Sequence, residues 1–139
     1  MPGCSDALTR RALVAALLTG ALAGCASLSG KPEDVVRARA QARWDALLKG
    51  DYERAYGYIT PGGRAVVPYA TYRGRIGNAV TWKSAEVASV TCETLEKCTV
   101  KVKVTYLPAV RRAAIGTIER FLDETWVVDA GQWWFVYKF

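Results

Sequence analysis

The apolar spacing of the chain changes at residue 80, and that change limits the folds open to it. Before it, apolar residues recur at helical spacing. Val36, Ala40, Trp44, Leu47 and Leu48 fall on one stripe, leaving Arg37, Arg39, Arg43 and Lys49 to point elsewhere. Pro32 suits a first helical position, and Glu33 and Asp34 favour the positive end of the helix dipole. Gly50 is placed to end this helix and Asp51 to cap the next, where Tyr52, Ala55, Tyr56 and Ile59 repeat the pattern. Thr60-Pro61-Gly62-Gly63 reads as a break. A third short helix is expected from Pro68, with Tyr69, Tyr72 and Ile76 on one side and Gly77-Asn78 at its end.

After residue 80 the period is two. Strands are expected over residues 80–92, 98–107, 113–129 and 132–139. The second is the clearest, with Val100, Val102, Val104 and Tyr106 on one face and Lys101 and Lys103 on the other. Residues 108–112 read as a basic turn. Neither face alternates cleanly over residues 113–129, which predicts a bend or bulge there. Ala130-Gly131 reads as a tight turn before a last strand that is apolar on both faces. Helices first and strands after them predict an α+β domain, with helices on a four-stranded antiparallel sheet. With 139 residues, 51% of them hydrophobic and 23% charged, one domain with a real core is expected.

The first 24 residues read as a leader outside that domain. Arg10 and Arg11 form a short basic segment before an uncharged, mostly apolar run of 13 residues, 12–24. A spanning helix needs about 20 apolar residues, so this run has signal-peptide proportions. It ends in Leu22-Ala23-Gly24-Cys25, which resembles the lipobox of bacterial lipoproteins. The resemblance implies that Cys25 becomes the acylated first residue of the mature chain. An ordinary secretory signal with an incidental cysteine is the alternative. Ala26 rather than Asp after the cysteine resembles outer-membrane sorting, with the domain facing the periplasm. Two or more acyl chains give stable anchoring where one does not. Residues 25–31 would then be a lipidated tether and residues 32–139 the working domain. Loss of Arg10, Arg11 and Asp6 with the leader lowers the net charge from +6 to +5.

Cys4 would leave with the leader, so Cys92 and Cys98 remain. An even pair in an exported chain reads as a disulfide across a hairpin end; two reduced thiols are the alternative. The chain has no histidine. Histidine-containing metal sites and Ser-His-Asp or Cys-His nucleophiles are thereby excluded, and two thiolates alone would leave a tetrahedral ion under-ligated. No metal and no cofactor is expected. No phosphate-binding loop, dinucleotide fingerprint or nucleophile elbow is present.

The segment Leu47-Leu48-Lys49-Gly50-Asp51-Tyr52-Glu53-Arg54-Ala55-Tyr56, with Glu124-Thr125-Trp126-Val127-Val128 and Gly131-Gln132-Trp133-Trp134-Phe135-Val136, resembles the nuclear-transport-factor-two-like (cystatin-like α+β cone) superfamily. The resemblance implies a curved sheet wrapped on a long helix around a cone-shaped cavity. It does not imply one function, because the superfamily holds isomerases, dehydratases and binding modules. An enzyme would use Glu124, in strand phase with Ile118, Leu122 and Trp126, as base and Tyr52 or Tyr56 as hydrogen-bond donor. The plainer expectation is that Glu124 pairs with an arginine, Arg120 or one on the helices, and that the tyrosines are core.

Trp44, Trp82, Trp126, Trp133 and Trp134 are either core or pocket lining. Trp44, Tyr52, Tyr56, Tyr72 and Trp126 are the candidates for holding a small hydrophobic ligand. Arg64, Arg73, Arg75, Lys101, Lys103, Arg111 and Arg112 form either a solvated face or one that meets anionic headgroups or acidic polymers. Nucleic-acid binding is not expected. The missing histidine favours a ligand- or protein-binding role in the cell envelope over an isomerase or hydratase. A module that dimerises through its sheet is the third reading.

Overall fold

The structure, a computed structural model, describes residues 30–108 and 116–138. The leader, Cys25, most of the tether, nearly all of the basic turn and the start of the third expected strand lie outside these residues. Four helices precede four strands: α1 (Pro32–Leu48), α2 (Tyr52–Tyr56), α3 (Pro61–Val66), α4 (Tyr69–Ala79), β1 (Val80–Thr94), β2 (Lys97–Pro108), β3 (Ile118–Asp129) and β4 (Gln132–Val136). The strands form one open antiparallel sheet in the order β1-β2-β3-β4. The fold class is therefore α+β.

Local chemistry explains the helix ends. Gly50, at φ 74°, closes α1, its N–H donating to the Leu47 carbonyl while Asp51 N–H reaches Ala46 O. Only glycine adopts that conformation without strain. Asp51 Oδ1 accepts from Arg54 N–H at 3.1 Å and starts α2. Thr60-Pro61-Gly62-Gly63 is a helix start rather than a break. Thr60 Oγ1 accepts from Gly63 N–H at 3.0 Å and Pro61 takes the first helical position, so α3 forms where the sequence suggested none.

Expected irregularity falls on a different strand. β3 keeps continuous register with β2 from Lys97↔Val127 to Tyr106↔Ile118. The register shifts lie in β1, between Trp82 and Ser84, Val87 and Ser89, and Cys92 and Thr94. β4 stops at Val136, shorter than expected. Its outer edge is occupied: Phe135 N–H donates to Tyr58 O and Thr60 N–H to Phe135 O, forming a parallel bridge with Ile59. The β3–β4 turn places Ala130 at φ 49° and Gly131 at φ 73°, the twist that a two-residue hairpin needs.

The core joins α1 to the sheet. Val36, Ala40, Trp44 and Leu47 pack with Val100, Val102, Val104 and Trp126, while Lys101 and Lys103 face outward. The arginines of α1 do not all point away. Arg37 Nη1 donates to Val87 O and Arg39 Nε to Trp133 O, and Arg43 is 3% exposed. Gln41 donates to Ala85 O and accepts from Val87 N–H, so its amide fills a ladder position beside β1. The sulfurs of Cys92 and Cys98, opposed in register, lie at bonding distance, 1.96 Å.

Candidate functional site

Glu124 lies in the inward phase of β3, 5% exposed among apolar neighbours. A buried carboxylate needs a counter-charge and donors for its lone pairs. Arg43 of α1 supplies the charge, Nη1 to Oε1 at 2.6 Å. Trp44 Nε1 donates to the same oxygen at 2.8 Å, and Trp126 Nε1 donates to Oε2 at 3.1 Å. The guanidinium of Arg43 also stands 3.9 Å from the centre of the Phe135 ring and 5.3 Å from that of Trp44. Charge-assisted bonds of this kind are short and strong, and they fix two helical residues to one strand residue.

Above this pair opens a cleft of about 330 Å³. Its apolar walls are Trp44 and Leu47 from α1, Ile76 from α4, Trp82 from β1, Leu122 from β3, and Phe135, Val136 and Tyr137; Arg43, Glu124, Asp123 and Lys138 also line it. Arg43 Nε and Trp82 Nε1, on two of the lining residues, are themselves buried and have no acceptor among the described residues. Trp82 packs edge-on against Trp44 and Tyr106. The cleft is thus mainly apolar, beside a neutralised charge pair, and suits a small apolar molecule.

The residues singled out from the sequence divide between this cleft and the packed interior. Trp44 lines the cleft. Trp126 and Tyr72 are fully buried in the core and are not among the cleft-lining residues. Tyr72 packs on Tyr56 and Tyr137, its hydroxyl close to the Arg43 guanidinium but without a hydrogen bond of good geometry. Burial pushes that hydroxyl above its ordinary pKa, and the Arg43 charge acts the other way. Tyr56 Oη donates to Val67 O at 2.7 Å, which ties α2 to the end of α3. Tyr52 borders a separate hollow beside Gly77 and Val80.

Glu124 pairs with an arginine of the helices, as the plainer expectation had it, and that arginine is Arg43 rather than Arg120; the arrangement of a free carboxylate base beside a tyrosine donor is not formed. Both carboxylate oxygens are already engaged, and Tyr56 has spent its proton on a backbone carbonyl. Arg43, Ile76, Leu122 and Tyr137 were not sequence candidates for the site. A lone glutamate in an apolar strand phase demands a buried cation, and that demand was the available signal for Arg43. Among the described residues no group of three or more Cys, Asp or Glu side chains could hold a metal ion, and no helix is long and apolar enough to cross a membrane.

No family model and no curated protein matches the sequence. Two solved structures are similar in fold. One is the solution structure of a SEC-C motif containing protein from Rhodopseudomonas palustris, with TM-score 0.54 and 17% identity, covering 77% of this chain and 76% of that one. The other is the crystal structure of a SEC-C motif containing protein from Psychrobacter arcticus, with TM-score 0.59 and 14% identity over 76% of this chain. The chain spans 60% of the length of the second. At these identities the likeness is one of fold: an α+β unit with a four-stranded antiparallel sheet.

Proposed function

We propose that this chain is a lipid-anchored cell-envelope protein whose domain binds a small apolar ligand without transforming it. Cys25 carries the lipid, residues 25–31 tether the domain, and the periplasmic face of the outer membrane is its station. In this reading α1 and the sheet form a cone of the nuclear-transport-factor-two-like kind, and the cleft over Arg43 and Glu124 is its mouth. The cleft itself carries the reading, because it combines apolar walls with a carboxylate already neutralised by its own arginine.

Catalysis by Glu124 is disfavoured on the same ground. A general base must reach the proton it takes, and this one is held by three donors. Dimerisation through the outer face of the sheet finds little support, since that face carries the pairs Lys101–Asp123 and Lys103–Glu119, with Phe121 as its exposed large apolar side chain.

Titration with the neutral fluorophore N-phenyl-1-naphthylamine tests the reading. Saturable enhancement is expected, and Ile76→Trp, which fills the cleft from its α4 wall, should weaken it about tenfold while leaving the circular dichroism unchanged. No saturable signal, or an unaltered affinity in the Ile76→Trp protein, refutes ligand binding at this cleft.

A further inference from the structure

Around Arg39, one turn of α1 before Arg43, lies an open hollow of about 380 Å³, bordered by Arg39, Arg54, Tyr58, Gln132 and Trp134. Arg64 is not among its lining residues but packs on the same Trp134 ring. Two arginines approach the Trp134 indole: the guanidinium carbon of Arg39 lies 5.7 Å from its centroid and that of Arg64 lies 5.2 Å away. Arg39 is also 5.1 Å from the centre of Tyr58. Arg39 and Arg64 are thus within about 11 Å of each other, close to the range over which salt fails to screen like charges.

None of these arginines has a carboxylate partner. Ion pairs among the described residues involve Arg43, Lys101 and Lys103 instead. Arg54 also borders a neighbouring hollow that holds Asp45 and Asp51, but at no ion-pairing distance. Backbone bonds fix two of the three cations while leaving donors free. Arg39 Nε donates to Trp133 O at 2.8 Å and Arg64 Nη1 to Gly57 O at 2.7 Å, so both nitrogens at the tip of Arg39 and one at the tip of Arg64 stay unused. Partial burial works against the Arg39 charge. Holding cations together, partly desolvated and uncompensated, is unfavourable until an anion enters.

We propose that this hollow is a binding site for a phosphate group. A carboxylate offers two oxygens and is met by one bidentate guanidinium, whereas a phosphate presents oxygens in several directions and suits several. Tyr58 and Trp134 on its border give apolar contact to whatever the phosphate is attached to. The chemistry is shared by a soluble phosphate ester and by the headgroup of an anionic phospholipid, and the two sources are separated by experiment. This site is distinct from the Arg43–Glu124 cleft and does not depend on what that cleft binds.

The test uses the full chain in dodecyl maltoside micelles, with indole fluorescence read as the difference between wild type and Trp134→Phe. Glycerol phosphate is titrated in one arm. In the other, the protein is transferred to nanodiscs of phosphatidylglycerol or of phosphatidylcholine. Saturation by glycerol phosphate assigns a soluble ester; a Trp134 response confined to phosphatidylglycerol assigns the headgroup; either supports the site. Arg54→Gln, at an exposed side chain with no partner to lose, should weaken the response about tenfold, and Arg54→Gln with Arg64→Gln should weaken it further. Lys101→Gln with Lys103→Gln removes two charges from the outer face of the sheet and should change nothing. No response in either arm overturns the proposal, as does an equal loss in the lysine variant.

Discussion

Glu124 is the residue on which α1 and β3 depend together. Its replacement by glutamine leaves Arg43 buried without a counter-charge, and a loss of roughly 3–5 kcal/mol is expected in urea unfolding. Arg43→Met added to Glu124→Gln should recover part of that loss, because no lone charge remains; the amide oxygen accepts from one indole, and the other, which donated to the second carboxylate oxygen, loses its acceptor. If the single variant unfolds like wild type, the pair is not what holds the helix to the strand. Tyr72 gives a second test. Its hydroxyl is buried, has no good partner and has its pKa raised, chiefly by desolvation. Above about pH 10 the unfolded chain releases this proton before the folded one does, so the folded state then binds more protons and loses stability as pH rises. Tyr72→Phe should flatten that alkaline decline and add about 1 kcal/mol at neutral pH. The inward phase of Glu124 was legible in the sequence from Leu122 and Trp126. The identity of its partner was not, because helical periodicity placed Arg43 off the apolar stripe, whereas α1 is covered on more than one side.

Among the elements, the legible parts were those with strong local chemistry. Gly50 and Asp51 mark the α1–α2 junction in both readings, and β2 announces itself by alternating valine and lysine. Less legible was α3, since two glycines after a proline resemble a break, and the Thr60 cap that overrides them is a matter of geometry. The bulges of β1 were also hidden. They depend on pairing with β2, and pairing is a non-local property. At the β3–β4 hairpin, Ala130 occupies a left-handed conformation that alanine adopts at a cost. Ala130→Gly should therefore stabilise the domain by about 1 kcal/mol, read as a higher midpoint in thermal unfolding with unchanged cooperativity.

At the scale of the whole molecule, the order of helices and strands sufficed for the fold class. The cleft was out of reach, because its walls come from α1, α4, β1, β3 and the end of the chain, and only the tertiary arrangement brings them together. The proposed leader is the opposite case, resting on sequence alone. Cys25→Ser should move the protein from the membrane to the soluble fraction and remove the acyl mass from the intact protein. Retention in the membrane with the mass unchanged would count against lipid anchoring.

The two borders of the sheet carry a consequence for how copies of this chain meet. An exposed strand border is a template for another chain, and many proteins aggregate through it. Here Tyr58–Thr60 occupies the β4 border, and the side chains of Gln41 and Arg37 take up the backbone groups of Ala85 and Val87 at the other. The register shifts of β1 break the flatness of what remains. Where copies of this chain crowd together, strand addition is therefore obstructed at the middle of β1 and at Phe135 of β4.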